Sequence, residues 1–438
     1  MELIFFASRP IILSMRKLIA AIMLLAPMAV SADVYRIAIQ GPIDSIIAEY
    51  TIDSMAKVRE KPDVDLVVVE IDTPGGLDSA MRTIIKEMLQ SPAPVAVFVY
   101  PQGARAASAG FFITVAADIA AMAPGTNMGA ASPVSALGQK MDDTMKAKVT
   151  NDAVSYIRSL ARNRGRDEDM AARAVSESLA YTVDECLEGR LADLSAESLE
   201  DLLQKLDGRN ITTMRGDTVT LNLQNVRIFT MKMSWRQRFL RTITNPNLAY
   251  FLLIFGLIGL YLEFTHAGAV IPGVIGGISL LLAFMAFQIL PINYVGLLLI
   301  LLAIGLFLAE IKVQGFGILG LGGAVAFFLG SVILISSPIP EMRPTMSLIV
   351  LLTVSFAGII LFLTYKVFQS MKRRVDTGQE GLAGEVGTAR TRITPEGGRV
   401  FVHGEWWNAV ADSPIEAGTE VEVLQMEGFR LKVKPRGG

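Results

Sequence analysis

The spacing of apolar and polar residues divides the chain into three stretches of different character. From residue 33 to 235, short β-rich runs alternate with helical patterns. Val34 to Ile39 is a strand. Leu66-Val67-Val68-Val69-Glu70-Ile71 is continuous and β-branched, the composition of a strand buried on both faces of a sheet. Val95 to Tyr100 is the next strand, and Ile43 to Arg59 and Leu77 to Leu89 carry helical spacing. Strand–helix alternation at this interval predicts parallel pairing with crossover helices, hence an α/β domain.

Residues 247–369 are a different material. Leu248 to Phe264, Val270 to Ile289, Val295 to Ile311, Gly315 to Ile335 and Met346 to Phe368 are apolar runs near span length, which predicts about five transmembrane helices. Ile271-Pro272-Gly273 is a point where the first pair merges or splits. The glycines between Gly315 and Gly323 suit close helix packing. From 379 to 438 strand-like alternation returns, with glycine-rich turns. In so short a stretch this predicts a small all-β barrel of OB type. Trp406-Trp407 fits the barrel's core and rim better than a base-stacking platform, because no dense basic stripe surrounds the pair. No internal repeat is visible.

Composition sharpens this picture. Of 438 residues, 52% are hydrophobic and 19% charged, too apolar for a soluble enzyme of this size. A net charge of −2 gives no reason to expect nucleic-acid binding. One cysteine, Cys186, excludes an intramolecular disulfide and, with only His266 and His403 for company, a Cys/His zinc site. Met15-Arg16-Lys17, the apolar run Leu18 to Val30, and Val30-Ser31-Ala32 have the order of a signal peptide, residues 1–32, so the α/β domain is exported. Lys366 and Lys372-Arg373-Arg374 place the end of the last span in the cytoplasm. An odd number of spans reconciles the two, although Arg236, Arg238 and Arg241 ahead of the first span pull against the charge rule.

The candidate chemistry lies in the exported region, which has no histidine before residue 247. Ser108, in Ala106-Ala107-Ser108-Ala109-Gly110, follows a strand and opens an apolar helical run. A hydroxyl there meets outward-pointing N–H groups and a dipole that favours an oxyanion. The bland alternative is a helix N-cap. Asp72-Thr73-Pro74-Gly75-Gly76 ends a buried strand, and its paired glycines offer bare N–H groups as an oxyanion loop; the bland alternative is an ordinary tight turn. Without histidine, a serine nucleophile needs another base, and lysine is the usual substitute when burial lets it lose its proton. Lys140, Lys146 and Lys148 all lie suitably downstream, and sequence physics does not choose among them. Lys148 opens the amphipathic pattern Val149, Ala153, Tyr156, Ile157, Leu160.

These runs, with Gly103 to Gly110 and Met122-Ala123-Pro124-Gly125-Thr126-Asn127-Met128-Gly129-Ala130, resemble the long-form NfeD family. These are membrane-bound partners of stomatins, of the ClpP and signal-peptide-peptidase A class. The resemblance covers the whole chain. It implies a ClpP/crotonase fold over 33–235, a membrane domain over 247–369 and an OB domain over 379–438. It implies a Ser–Lys dyad of Ser108 and Lys148, the latter in Lys148-Val149-Thr150-Asn151. Oxyanion donors fall on Gly76 and Ala109, with Gly75 adjacent. The resemblance implies no cofactor or metal, a stomatin-like protein as substrate and partner, and a homodimer or higher oligomer. With the signal segment and the basic end of the last span, it implies a protease domain on the extracytoplasmic side of the cell membrane and the barrel on the cytoplasmic side. A non-proteolytic scaffold is the main alternative. A transport component is disfavoured, because Glu263, His266, Glu310 and Lys312 sit near apparent span ends.

Overall fold

A computed structural model describes residues 31–135, 141–213, 215–265, 270–313, 317–371 and 379–437. Of the expected signal segment, the residues up to Val30 lie outside them, as do Lys140 and His266. The chain divides into two compact units, Met1–Ile300 with Phe328–Leu351, and Leu301–Phe327 with Leu352–Gly438.

The first unit opens with the α/β body. Its elements are β1 (Ala32–Gln40), α1 (Ser45–Arg59), β2 (Leu66–Asp72), α2 (Asp78–Leu89), β3 (Val95–Val99), β4 (Arg105–Ala107), α3 (Ala109–Ala116), β5 (Ile119–Met122), β6 (Asn127–Gly129), α4 (Asp143–Asn163), α5 (Glu168–Ser176), β7 (Ala180–Thr182), α6 (Val183–Glu188), β8 (Leu194–Ser195), α7 (Leu199–Leu206), β9 (Asn210–Thr212), β10 (Thr218–Thr220) and β11 (Val226–Thr230). Six strands form one parallel sheet in the order β11-β1-β2-β3-β5-β8. Strand β2 explains why its sequence is apolar throughout. Val67, Val69 and Ile71 point into a core covered by α1 to α5, while Leu66 and Val68 point into a second core against α7. A small sheet, β4-β6-β7, stands beside the large one and carries the loops of interest. The β9–β10 hairpin and edge strand β11 are elements that residue spacing did not reveal.

Beyond the body come α8 (Trp235–Ile243), α9 (Pro246–Thr265), α10 (Val270–Phe287), α11 (Tyr294–Val313), α12 (Ile318–Leu334) and α13 (Met346–Met371). Pro246–Phe264, Val270–Phe287 and Pro340–Phe362 are long and apolar enough to cross a membrane, and Tyr294–Glu310 and Ile318–Leu334 are shorter apolar helices. Pro272 does not interrupt α10. It sits in the first turn, where a missing N–H breaks no helical bond. Glycines set the hairpin spacing: a Cβ on Gly276 would lie 2.9 Å from Gly256 O, and one on Gly296 2.7 Å from Leu334 Cα.

The membrane block contains a repeat that the sequence reading missed. Glu263, Gly273 and Gly276 recur at the same spacing as Glu310, Gly320 and Gly323. In the first hairpin, a Cβ on Gly273 would meet Glu263 Cγ at 2.7 Å. In the second, one on Gly320 would meet Glu310 Cγ at 3.7 Å. Glu310 is buried and accepts from Gly317 N (2.7 Å) and Gly320 N (3.0 Å), capping α12.

In the second unit the chain ends in a closed barrel, β12 (Val386–Ala389), β13 (Gly398–Val402), β14 (Glu405–Val410), β15 (Glu420–Glu427) and β16 (Arg430–Pro435), ordered β12-β13-β14-β16-β15. The parallel β14–β16 pairing closes it in the OB manner. The two tryptophans divide their roles. Trp407 packs on the barrel core, and Trp406 is 61% exposed.

Candidate active site

Ser108 occupies the N-cap position of α3 but does not cap it, since its side chain makes no bond to the helix. Its backbone stands at φ 51°, ψ −114°, a conformation that non-glycine residues rarely adopt. Three neighbours hold it there. Ser108 N–H donates to Gly129 O at 2.8 Å, Ala107 N–H to Thr73 O at 3.1 Å, and Phe111 N–H to Ser108 O at 3.0 Å. The turn is therefore a strained strand-to-helix elbow that pushes a hydroxyl out of the local hydrogen-bond pattern.

The Asp72–Gly76 turn lies directly against it. Thr73 N–H donates to Arg105 O (2.7 Å), which sews the turn to β4. A Cβ on Gly75 would lie 2.5 Å from Ser108 Cβ and 3.0 Å from its Oγ, so only glycine leaves the Ser108 side chain its place. Gly76 is pinned differently: a Cβ there would stand 2.0 Å from Ile43 O. Gly110 faces Thr73, where a Cβ would come within 2.4 Å of Cγ2. These close approaches make the two glycine-bearing runs one packed object.

The three candidate oxyanion donors differ in how their N–H groups are engaged. Among the described residues, the N–H groups of Gly76 and Ala109 have no hydrogen-bond partner, and Ala109 also stands at the first position of α3. Gly75 departs from the expectation. Its N–H donates to Thr73 Oγ1 at 3.0 Å, and that hydroxyl donates back to Gly75 O at 3.1 Å. Gly75 thus supplies room rather than a free donor, and Thr73, whose hydroxyl shapes the turn, was overlooked in the sequence. So was Gly129, whose carbonyl anchors the Ser108 backbone.

The lysine is placed differently from what its sequence suggests. Helix α4 begins at Asp143, capped by Asp142 Oδ1 on Met145 N (2.9 Å), so Lys148 lies in its second turn and does not open it. Residues 143–149 are all exposed, Lys146 and Lys148 included. Burial starts at Ala153. Tyr156 then stacks on Phe112 of α3 with ring centroids 6.0 Å apart, and Arg82 lies over the Tyr156 ring. The helix is docked through its later turns and overhangs at its start, so among the described residues nothing buries Lys148 as a lysine base would require. Met145 (50%) and Val149 (37%) on the overhang, and Val134 (61%) earlier in the chain, are apolar side chains left exposed.

Three family models match successive stretches. They are NfeD1b, N-terminal domain, over residues 33–212; the NfeD integral membrane domain over 247–366; and the NfeD-like C-terminal, partner-binding domain over 379–435. Over 440 residues the chain is 33% identical to the membrane-bound protease PH1510 of Pyrococcus horikoshii, covering 97% of this chain and 98% of that one. It is 27% identical over 434 residues to the membrane protein NfeD1b of Bacillus subtilis, covering 92% of each. Among solved structures, a mutant of the 1510-N membrane-bound stomatin-specific protease in complex with a substrate peptide is 32% identical. That match has a TM-score of 0.45 and covers 49% of this chain and 98% of the other.

Proposed function

Starting from the fact that this chain belongs to the NfeD family, we propose that it is a membrane-bound protease of the ClpP class in which Ser108 and Lys148 form the catalytic dyad. The observation that carries this reading is the elbow at Ser108. Its backbone is strained, its side chain is unused by the helix it precedes, and two unpartnered N–H groups adjoin it. Ser108 Oγ attacks the peptide carbonyl while its proton passes to the neutral Nζ of Lys148. The carbonyl oxygen gains the negative charge and is held by the N–H groups of Gly76 and Ala109, at the positive end of α3. Collapse expels the amine, which takes the proton from Lys148 and leaves an acyl-serine. Water, deprotonated by the same lysine, hydrolyses it.

The substrate on this reading is an apolar segment, the hydrophobic C-terminal region of a stomatin-like partner, cut on the extracytoplasmic side. The barrel is the docking domain for that partner on the cytoplasmic side. A second copy of the chain, packed over Val134, Met145 and Val149, supplies the burial Lys148 lacks alone. The exposure of Lys148 is also the one observation that favours a scaffold without proteolysis, so a single experiment addresses both. The full chain in detergent is incubated with an apolar peptide library, beside Ser108→Ala, Lys148→Ala, Lys146→Ala and Lys140→Ala. Cleavage should disappear, by about 10³-fold or more, in the first two variants only. A folded wild-type chain that cuts nothing would favour the scaffold.

A further inference from the structure

The α/β body is not hung from the membrane block by a loose linker. Two residues separate α8 from α9, and α8 is fastened to the body. Gln237, 2% exposed, donates through Nε2 to Asp53 Oδ2 at 2.9 Å, Arg236 pairs with Glu49 of α1, and Arg241 donates to Gln40 O. The outer side of α8 presents Trp235 (78% exposed) and Phe239 (44%) beside Arg238. Exposed aromatics with arginines, on a helix running straight into a span, are the composition of a helix lying in the headgroup layer.

A second contact brings the nucleophile's own strand to the same level. Arg105 Nη2 pairs with Glu341 Oε1 at 2.6 Å. Glu341 lies in the turn Pro340–Met342, at the start of the apolar stretch Pro340–Phe362. Thr345 N–H donates to Asn247 Oδ1 at 2.8 Å, so the beginnings of α9 and α13 stand side by side. Asn293 N–H donates to Leu334 O at 2.7 Å, which joins the beginning of α11 to the end of α12. These helix ends lie on one face of the apolar block, and Arg105 touches it through Glu341. Ser108 is three residues further on, so its Cα is at most about 10 Å from that of Arg105.

We infer that the catalytic turn works at the bilayer surface and selects bonds a few residues from the membrane in a membrane-anchored polypeptide. This rests on Ser108 as nucleophile and adds where the scissile bond must lie. A chain leaving the bilayer extended rises about 3.3 Å per residue, so about three to six residues bring it to the elbow. The Arg105–Glu341 pair is half-exposed on both sides and adds little stability, so its role is positional.

The test reconstitutes the full chain in vesicles of phosphatidylethanolamine and phosphatidylglycerol. The probe is a synthetic single-span polypeptide displaying one apolar decapeptide, taken from library hits, held off the span by proline-rich spacers of about 4 and about 24 residues, the longer reaching about 75 Å. The short spacer should be cut at least tenfold faster at equal surface density. Equal or faster cutting with the long spacer overturns the inference. The free decapeptide runs in parallel; if neither form is cut, it is the assignment of Ser108 that has failed. Placement is read separately in Ser108→Cys, labelled with a fluorophore, in vesicles whose headgroups carry a quencher. Strong quenching is expected whether or not the chain cuts anything, and its absence overturns the inference.

Discussion

Gly75→Ala isolates the packing on which the active site rests. Gly75 has φ +110°, where an L-residue is strained by about 1–3 kcal/mol. Its new Cβ would begin 2.5 Å from Ser108 Cβ and 3.3 Å from Ala107 O. Carbon pairs settle near ~3.5–4.0 Å, so the elbow must shift by about 1 Å. A displacement of that size at a reacting atom costs about 10²-fold in rate. The expected result is a fall of about a hundredfold in kcat/KM for a library-derived peptide. The melt should fall by several degrees, at about 2–4 °C per kcal/mol for a domain of this size. Gly103→Ala is the control. Its φ is +81°, but a Cβ there meets nothing within 4 Å. It should lower the melt similarly and leave kcat/KM within about threefold, because its strain is local. If Gly75→Ala keeps near-normal kcat/KM, or both variants lose activity equally, the turn does not position Ser108 and the argument fails.

Arg166 is 2% exposed in its side chain and donates to Val115 O, Leu191 O, Ala117 O and Asp193 Oδ2 at 2.9–3.1 Å. Arg166→Met should therefore destabilise the body by about 3–5 kcal/mol in urea melts, and a loss under 1 kcal/mol would contradict that accounting. Burial pushes the Cys186 thiol up to about 12, with Glu185 adding to the shift. The folded state holds the neutral thiol, so this contribution is complete below the unfolded value near 9 and is lost as pH rises from there towards 12. Maleimide at pH 8 should label the chain only after unfolding, and rapid native labelling would refute it. On the barrel, Trp406 and Phe429 (86% exposed) stand near Arg399, and Arg390 lies over Phe401. If this face docks the partner, Trp406→Ala should weaken capture of a stomatin-like protein by about 30-fold, as an interface anchor does, in surface plasmon resonance.

Some of this protein is fixed by local sequence alone. Strand β2 is apolar at nearly every position because both its faces are covered, and that is readable without knowing by what. The apolar helices of the membrane block announce themselves because hydrocarbon demands length and apolarity together. Ser108 and the two glycine runs are visible because a strained turn and a close approach each need a particular small residue. Other features depend on partners far along the chain. Strand β11 pairs with β1, and Arg227 reaches Asp33 across 194 positions, a match no periodicity encodes. That Gly75 gives its N–H to Thr73, leaving Gly76 and Ala109 free, follows from how the turn closes, and glycine alone does not specify it. Lys148 sits in an amphipathic pattern, but periodicity reports which face a helix buries and not where along its length burial begins. Burial begins about where Tyr156 meets Phe112 of α3, and it leaves the lysine in the preceding turns exposed.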